Sequence, residues 1–242
     1  MPFLKTISTI PGHPATNTYP YTIPFIAKGF QLDLHSDVTI FVGENGSGKS
    51  TLLEAIASKC EFHVAGGGRN QRYEHHQSES PFADSLRLSW FPKITEGFFL
   101  RAESFYNFAT YVDQIARDDA MMLDAYGGKS LHHQSHGESF LSLFANRFKK
   151  GLFILDEPEA ALSPQRQLVF MRIMHQLTQS GRAQFIIATH SPMLLCYPAA
   201  EVISTDGDTL SVVDYRDTEH IRLARDFLTK PEQYFRQLFA EE

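Results

Sequence analysis

Apolar positions along the chain follow two alternating patterns. Nearly unbroken apolar runs occupy residues 38–42, 152–155 and 185–188, as expected for strands that are covered on both faces of a sheet. Residues 49–59 and 163–180 instead repeat apolar side chains at helical spacing. This alternation predicts an α/β fold in which helices flank a mixed or parallel sheet.

Other segments predict a β-rich periphery. Residues 21–34 combine aromatic and β-branched side chains, which predicts a β-rich opening, and short strands are expected at 86–91 and 98–100. Residues 66–80 are polar and glycine-rich without periodicity, so we expect a mobile loop there. We therefore expect an antiparallel β part near the N-terminus.

Two further elements complete the pattern. An amphipathic helix is predicted over about residues 105–126, ended by the glycines at 127–128. An Asp-Gly pair at 206–207 separates two β-prone segments, 201–204 and 209–213, and predicts a hairpin turn.

A glycine-rich loop joins the first buried strand to the first helix. It has the form G-x-x-x-x-G-K-[ST], in which glycines let successive backbone N–H groups turn towards one anion without a Cβ clash. The helix that begins near Lys49 adds its positive dipole end, Lys49 can reach the β- and γ-phosphates, and Ser50 can ligate Mg²⁺. A glycine-rich turn that happens to precede a lysine is the alternative, but the strand-loop-helix context favours a phosphate loop. The loop consists of Gly43, Glu44, Asn45, Gly46, Ser47, Gly48, Lys49, Ser50 and Thr51.

Two carboxylates follow the second buried strand. Asp156 and Glu157 lie at its carboxyl end, where ligands collect in open α/β sheets. We expect Asp156 to hold Mg²⁺ through water opposite Ser50, and Glu157 to orient or deprotonate the attacking water. Solvated acids that cap a strand before Pro158 are the alternative. The phosphate loop upstream favours the catalytic interpretation.

Composition narrows the class of protein. The chain has 242 residues, 43% of them apolar, which suffices for one large core, so we expect a single domain over residues 1–242. Its net charge of −6 offers no overall attraction to nucleic acid or anionic lipid. No apolar run approaches the roughly eighteen residues of a membrane span, so we expect a cytoplasmic protein without direct membrane insertion. Cys60 and Cys196 lack metal-like spacing, so reduced thiols are expected, with a disulfide as the alternative.

The order of these motifs resembles the ABC-type ATPases, in the branch that includes the SMC and double-strand-break-repair ATPases. The resemblance covers about residues 35–195, and it implies a helical insert at approximately 101–150. In that family the histidine after the last core strand contacts the γ-phosphate, and His190 matches that position; a surface or capping histidine is the alternative. Residues 160–163 match a loop that runs along the family's subunit interface, and Ser163 also suits the N-cap of the next helix. The resemblance rests on the phosphate loop, Leu155-Asp156-Glu157-Pro158, Ala160-Ala161-Leu162-Ser163 and Thr189-His190-Ser191-Pro192.

The family's diagnostic element is a serine- and glycine-rich turn before a helix, which binds the γ-phosphate held by the partner subunit. Residues 135–139 match it, so the resemblance implies nucleotide contacts from Ser135, Gly137 and Glu138 through a hydroxyl, backbone amides and a helix N-terminus. His136 stands where the family has its first glycine, and Glu138 where many transporters have glutamine. A capping box between Ser135 and Glu138 is the alternative, and both interpretations can hold together.

Two family features have no clear counterpart. The glutamine that meets Mg²⁺ is absent from residues 98–105, and we take Glu103 as the substitute metal ligand, with Gln71 behind it and helix capping as the alternative. A ring that stacks on adenine could come from the N-terminal aromatic residues, but each of these suits packing as well. They are Tyr19, Tyr21 and Phe25.

The resemblance implies an ATPase that binds ATP and Mg²⁺ between two copies of the chain, in a homodimer that hydrolysis releases. A role in DNA maintenance or defence, with an unknown partner protein or nucleic acid, is the first interpretation. The nucleotide-binding subunit of an ABC transporter is the alternative. A P-loop kinase or GTPase comes third, and the guanine-reading Asn-Lys-x-Asp motif is absent.

Overall fold

The computed structural model describes residues 1–12, 17–63, 67–68, 80–102, 105–118, 130, 132, 136–147 and 149–240. Most of the loop predicted at 66–80, the predicted helix beyond residue 118 and the glycines at 127–128 lie outside the described residues.

The described part of the chain contains nine strands and eight α-helices. The strands are β1 Leu4–Thr9, β2 Gln31–Asp33, β3 Val38–Val42, β4 Leu86–Trp90, β5 Gly97–Arg101, β6 Gly151–Asp156, β7 Ala183–Ala188, β8 Glu201–Ser204 and β9 Ser211–Val213. The helices are α1 Pro24–Lys28, α2 Lys49–Lys59, α3 Phe105–Asp118, α4 His136–Ser142, α5 Pro164–Gln179, α6 Pro192–Leu195, α7 Glu219–Thr229 and α8 Pro231–Leu238.

The main sheet gathers the buried strands. Within the described residues its order is β5-β6-β7-β3-β8-β9, and every neighbouring pair is parallel except β8 and β9. Parallel strands end at the same edge, so the segments that follow β3, β5, β6, β7 and β8 converge there. The phosphate loop, Asp156 and His190 are among those segments.

Both faces of this sheet are covered, which explains why its strands are apolar at nearly every position. Ile40 and Val42 on β3 contribute to a core with α3, α4, α5 and α6, whereas Phe41 contributes to a second core with α2. The first core contains a group of aromatic rings at mutual centroid distances of 5.0–6.5 Å, namely Phe140, Phe144, Phe153, Phe170 and Phe185.

A second, antiparallel sheet with the order β2-β1-β4 packs over the α2 face in the described structure. A buried glutamine ties it to the main sheet. The Gln184 side chain on β7 accepts hydrogen bonds from the amides of Phe3 (2.9 Å) and Leu4 (2.8 Å) and donates to the Leu4 carbonyl (3.0 Å). This amide is fully buried, and its three hydrogen bonds to β1 offset the cost of its desolvation while they set the position of that strand.

The α/β fold with a mixed sheet, flanking helices and an N-terminal antiparallel part is confirmed. The hairpin at residues 206–207 is also found, since β8 and β9 pair antiparallel. Both cysteines are thiols. The β-rich opening at 21–34 is wrong in part, because α1 lies inside it: Pro24 takes the first helical position, where its missing N–H costs nothing, and Phe25 and Ile26 are buried.

Candidate nucleotide-binding site

The turn after β8 supports the back of the phosphate loop. The Thr205 amide donates to the Val42 carbonyl (2.8 Å), and the hydroxyl oxygens of Thr205 and Ser47 are 2.6 Å apart. Asp206 Oδ1 accepts a hydrogen bond from the Glu44 amide at 2.7 Å. Contacts within the protein therefore hold the phosphate loop on the side that faces Thr205 and Asp206.

Two glycines of the loop are required by close approach and backbone conformation. A Cβ on Gly43 would lie 2.3 Å from Thr205 Oγ1. Gly48 is the N-cap of α2 with φ of +98°, and a Cβ there would lie 2.9 Å from Ile23 Cγ2. No side chain caps this helix, so the amides of its first turn stay available to an anion.

Lys49 lies folded along the loop. Its side chain is buried, and Nζ donates to the carbonyls of Gly43 (2.6 Å) and Glu44 (3.0 Å). Burial lowers the pKa of Lys49 below its ordinary value. The surrounding carboxylates, Glu157 and Asp206 above all, act to raise this pKa, but the effect of burial is larger. The ammonium group thus sits among carboxylates, and within the described part of the chain its hydrogen-bond partners are two carbonyl oxygens.

Asp156 contacts Ser50 and also an arginine that belongs to none of the predicted motifs. Its carboxylate is 2% exposed; Oδ1 accepts from Ser50 Oγ (3.1 Å) and Oδ2 from Arg101 Nε (2.8 Å). Arg101 Nη2 also lies 2.6 Å from Glu54 Oε1 on α2. Arg101 ends β5 directly opposite Asp156 in the sheet register, a pairing that only the strand order reveals.

Glu157 has an unusual backbone. Its φ of +50° and ψ of +52° lie in the left-handed region, which costs a residue with a side chain about 1–3 kcal/mol and is concentrated at functional sites. The Glu157 amide donates to the Ala188 carbonyl at the end of β7 (2.9 Å), which holds this conformation. The carboxylate projects from the sheet edge with 44% of the side chain exposed.

His190 faces Glu157 across the edge. Its Nε2 lies 3.7 Å from Glu157 Oε1, and its amide donates to Glu159 Oε1 (2.7 Å). Burial, reinforced by the positive charge of Lys49, lowers the pKa of His190 despite the neighbouring carboxylates. The ring is therefore a neutral imidazole near pH 7. Burial raises the pKa of Glu159, which lies beneath His190.

A second histidine touches the first. His220 Nε2, in the first turn of α7, lies 2.8 Å from His190 Nδ1, and the ring centroids are 5.0 Å apart. His220 lies 30 residues beyond His190 and belongs to no sequence motif, so the pattern of residues alone does not predict this contact.

The serine- and glycine-rich segment differs in form from the expected turn. The helix α4 already begins at His136, so Gly137 and Glu138 lie in its first turn, and Ser135 lies outside the described residues. A Cβ on Gly137 would lie 2.6 Å from Arg166 Cδ, so a larger residue there would displace the Arg166 side chain. Glu138 Oε1 lies 3.1 Å from Arg166 Nη2 within the same chain.

The remaining candidates are the residues proposed as a further metal ligand and the aromatic rings proposed to stack on adenine. Glu103 and Gln71 lie outside the described residues. Phe25 is fully buried, which closes its ring to a nucleobase, whereas Tyr21 is half-buried and packs edge-on against Phe82. Tyr19 is 70% exposed, and its hydroxyl contacts Thr51 Oγ1 beside the phosphate loop.

The converging groups border a cavity of about 300 Å³. A buried hydrogen-bonding atom, His190 Nε2, has no hydrogen-bond partner within the described protein, as expected for a group that meets a ligand. No cluster of three His, Cys, Asp or Glu side chains in the described ranges could hold a metal ion alone. The residues fit a polyphosphate with Mg²⁺. The cavity is lined by Ser50, Arg101, Ala102, Asp156, Glu157 and Ala160.

Comparison with known families gives two matches. Residues 139–195 match the family described as "AAA domain, putative AbiEii toxin, Type IV TA system", and residues 22–89 match a family described as "AAA domain". These segments contain the carboxylate strand and the phosphate loop, respectively.

Individual proteins and structures agree with them. The chain is 26% identical to the "Putative ABC transporter ATP-binding protein" of Methanothermobacter marburgensis, with 85% of this chain and 84% of that protein covered. It is 34% identical to the OLD nuclease of Thermus scotoductus over 70 residues, which are 28% of this chain and 13% of that protein. In fold it is similar to an ATP-binding cassette of an ABC transporter in its ADP conformation, with a TM-score of 0.51, 14% identity, and 97% and 99% of the two chains covered.

The chain carries the phosphate loop and the carboxylates after β6, and together with these matches they support an ABC-type P-loop ATPase. It is an enzyme that binds and hydrolyses ATP, and ATPases of this class generally use Mg²⁺. Across the described residues, no helix combines the length and the apolar character that crossing a membrane requires.

The conformation of Gly48 yields a first prediction. Gly48→Ala places a Cβ at positive φ and against Ile23, so we expect the free energy of unfolding to fall by about 2–5 kcal/mol in chemical denaturation. Gly181→Ala is the matched control: its φ is +65°, but nothing lies within 4 Å, so backbone strain alone should cost about 1–2 kcal/mol. Equal losses in the two variants would contradict the steric role of Gly48.

The ion pair between Arg101 and Asp156 leads to a second prediction. Arg101→Met leaves Asp156 buried with one hydrogen-bond donor, so we expect about 1–3 kcal/mol less unfolding free energy at pH 7. Arg216→Met removes an arginine from an exposed ion pair with Asp214 and should leave stability unchanged. If Arg101→Met were as harmless as Arg216→Met, Asp156 would not depend on its arginine.

Proposed function

We propose that this ATPase binds ATP-Mg²⁺ on the phosphate loop of one subunit and completes the site with α4 of a second copy, in a twofold dimer. The observation that carries the catalytic part is the meeting of Glu157 and His190 at 3.7 Å on the sheet edge that also bears Lys49 and Ser50. The phosphate loop, Glu157 and His190 follow β3, β6 and β7, and ligands bind at this edge of parallel sheets.

In this proposal each group has one task. The first-turn amides of α2 and Lys49 bind the β- and γ-phosphates, which requires Lys49 to exchange its two loop carbonyls for phosphate oxygens. Ser50 and Asp156 hold Mg²⁺, which neutralises charge that builds up on the phosphates. Glu103 remains a proposed third ligand of Mg²⁺.

Hydrolysis requires a base and a γ-phosphate contact. Glu157 accepts a proton from the attacking water, since its carboxylate is exposed and lies at the carboxyl end of β6. His190 is neutral and donates from Nε2 to a γ-phosphate oxygen. Tyr19, whose exposed ring stands beside α2, is the candidate for stacking on the base.

The second subunit would contribute the first turn of α4 through Gly137 and Glu138, and also Ser135, which lies outside the described residues. This helix packs on the segment that follows Glu157: a Cβ added to Gly137 would lie 3.1 Å from the Ala161 carbonyl oxygen. Loss of the γ-phosphate removes the bridge between subunits and releases the dimer.

Glu157→Gln tests the dimer. This variant should bind ATP-Mg²⁺, lose hydrolysis by about 10²-fold or more, and elute in gel filtration at about twice the 27.4 kDa of one chain. It should elute as a monomer without nucleotide. Glu232→Gln, at an exposed position of α8, serves as the control and should behave like the wild type.

Two outcomes would contradict the proposal differently. A Glu157→Gln protein that binds nucleotide tightly but stays monomeric would exclude the shared site. A variant that hydrolyses ATP at the wild-type rate would exclude Glu157 as the base.

For the process that the ATPase serves, we propose DNA maintenance or defence with a partner protein. The match to the OLD nuclease supports this class, and the net charge of −6 implies that a partner supplies the contact with DNA. The transporter alternative draws support from relatives named as ABC transporter ATP-binding proteins. Against it stand His136 and Glu138 in the signature segment and the absence of a glutamine from residues 98–105.

Capture of the Glu157→Gln protein from its native cell with ATP-Mg²⁺ distinguishes the two. We expect a partner to copurify without detergent, and the complex to show ATPase stimulation by DNA that fades between about 50 and 200 mM salt. Lys49→Ala, which should not close on nucleotide, is the control. Recovery of a membrane subunit only in detergent would favour the transporter instead.

A further inference from the structure

The contact between His190 and His220 is built into the fold. His220 lies in the first turn of α7, and the flanking residues hold that turn: Thr218 Oγ1 donates to the Tyr215 carbonyl (2.6 Å), and Ile221 is buried in the core of the main sheet. The start of α7 is thereby anchored, and the 2.8 Å contact between the two rings does not depend on a flexible side chain alone.

Both rings are neutral near pH 7. For His190, burial and Lys49 lower the pKa, against Glu157, Glu44 and Asp156, which raise it. For His220, burial and the adjacent His190 lower the pKa. Glu44 and Asp206 raise the pKa of His220, and Lys49 lowers it further, so it stays below its ordinary value. Two neutral imidazoles at hydrogen-bond distance share one proton: one nitrogen donates and the other accepts.

The surroundings of His190 decide which ring donates. A neutral imidazole carries a proton on one nitrogen only. His190 Nε2 faces the Glu157 carboxylate at 3.7 Å, and the negative charge favours the proton on that nitrogen. Nδ1 of His190 is then an acceptor, and His220 Nε2 is the donor. This arrangement leaves an N–H on the Nε2 atom that lacks a hydrogen-bond partner in the described protein.

We infer that His220 is a positioning residue for His190: its Nε2–H bond to Nδ1 sets the orientation and the tautomer that present the Nε2–H of His190 to the γ-phosphate. The inference rests on the proposed function, because it needs His190 to act on the phosphate. It also makes the docking of α7, which lies beyond both family-matched segments, a condition for hydrolysis.

A pair of amide substitutions tests this in the full-length protein with ATP-Mg²⁺. The amide nitrogen of His220→Gln can replace Nε2, whereas that of His220→Asn reaches only the position of Nδ1. We expect single-turnover hydrolysis to fall about tenfold in His220→Asn and to stay within about threefold of wild type in His220→Gln. The Kd for ATP should change less than twofold in both. His175→Asn, at an exposed position of α5, is the matched control.

Coupling to His190 supplies the second readout. If His220 acts only through His190, adding His220→Asn to His190→Ala should cause no further loss of rate. Equal rates in the Asn and Gln variants, or an additive loss on top of His190→Ala, would overturn the inference. If His190→Ala itself hydrolyses ATP normally, the proposed role of His190 fails first. If His190→Ala is impaired while His220→Asn is not, only the inference about His220 fails.

Discussion

The hydrogen bond from Ser50 to Asp156 joins two parts of the chain that are 106 residues apart, and the nucleotide site depends on what makes it possible. β3 and β6 both pair in parallel with β7, so the loop after β3 and the carboxylate after β6 meet at one edge. Both faces of these strands are covered by apolar packing, which fixes their order and register. A slip of one residue in β6 would turn Asp156 away from Ser50 and leave a carboxylate facing a core.

The edge is also an electrostatic arrangement. Asp156, Glu157, Asp206 and Glu44 all act on Lys49, whose own pKa is lowered by burial. Arg101 neutralises Asp156 from the side, through a bridge that reaches α2. Asp156 is the buried member of this group, and a buried carboxylate is costly without a partner, which explains why it engages Arg101 and Ser50 within the fold. This group of charges is also a setting in which a divalent cation and a polyphosphate bring complementary charge.

Local patterns predicted a large share of this arrangement. The phosphate loop, Asp156, Glu157 and His190 each follow an apolar strand, and the common edge of parallel strands brings them together as expected. The sequence analysis missed Arg101, Asp206 and His220. Arg101 depends on β5 lying beside β6, Asp206 on β8 lying beside β3, and His220 on the docking of α7. None of these neighbours can be inferred from spacing along the chain. The helix at Pro24–Lys28 was missed for a different reason, since its aromatic and β-branched residues suit a strand until burial of Phe25 and Ile26 decides otherwise.

By itself the sequence determined the class of chemistry, because the glycines of the phosphate loop and the acids after a buried strand have few other uses in that order. It also determined which strands are buried on both faces, since their apolar content leaves no polar side. Only the tertiary structure decided which charges pair, where the left-handed Glu157 aims its carboxylate, and which ring supports His190. The reason is physical: local propensity acts over a few residues, whereas these contacts form between elements whose neighbours are selected by packing of the whole core.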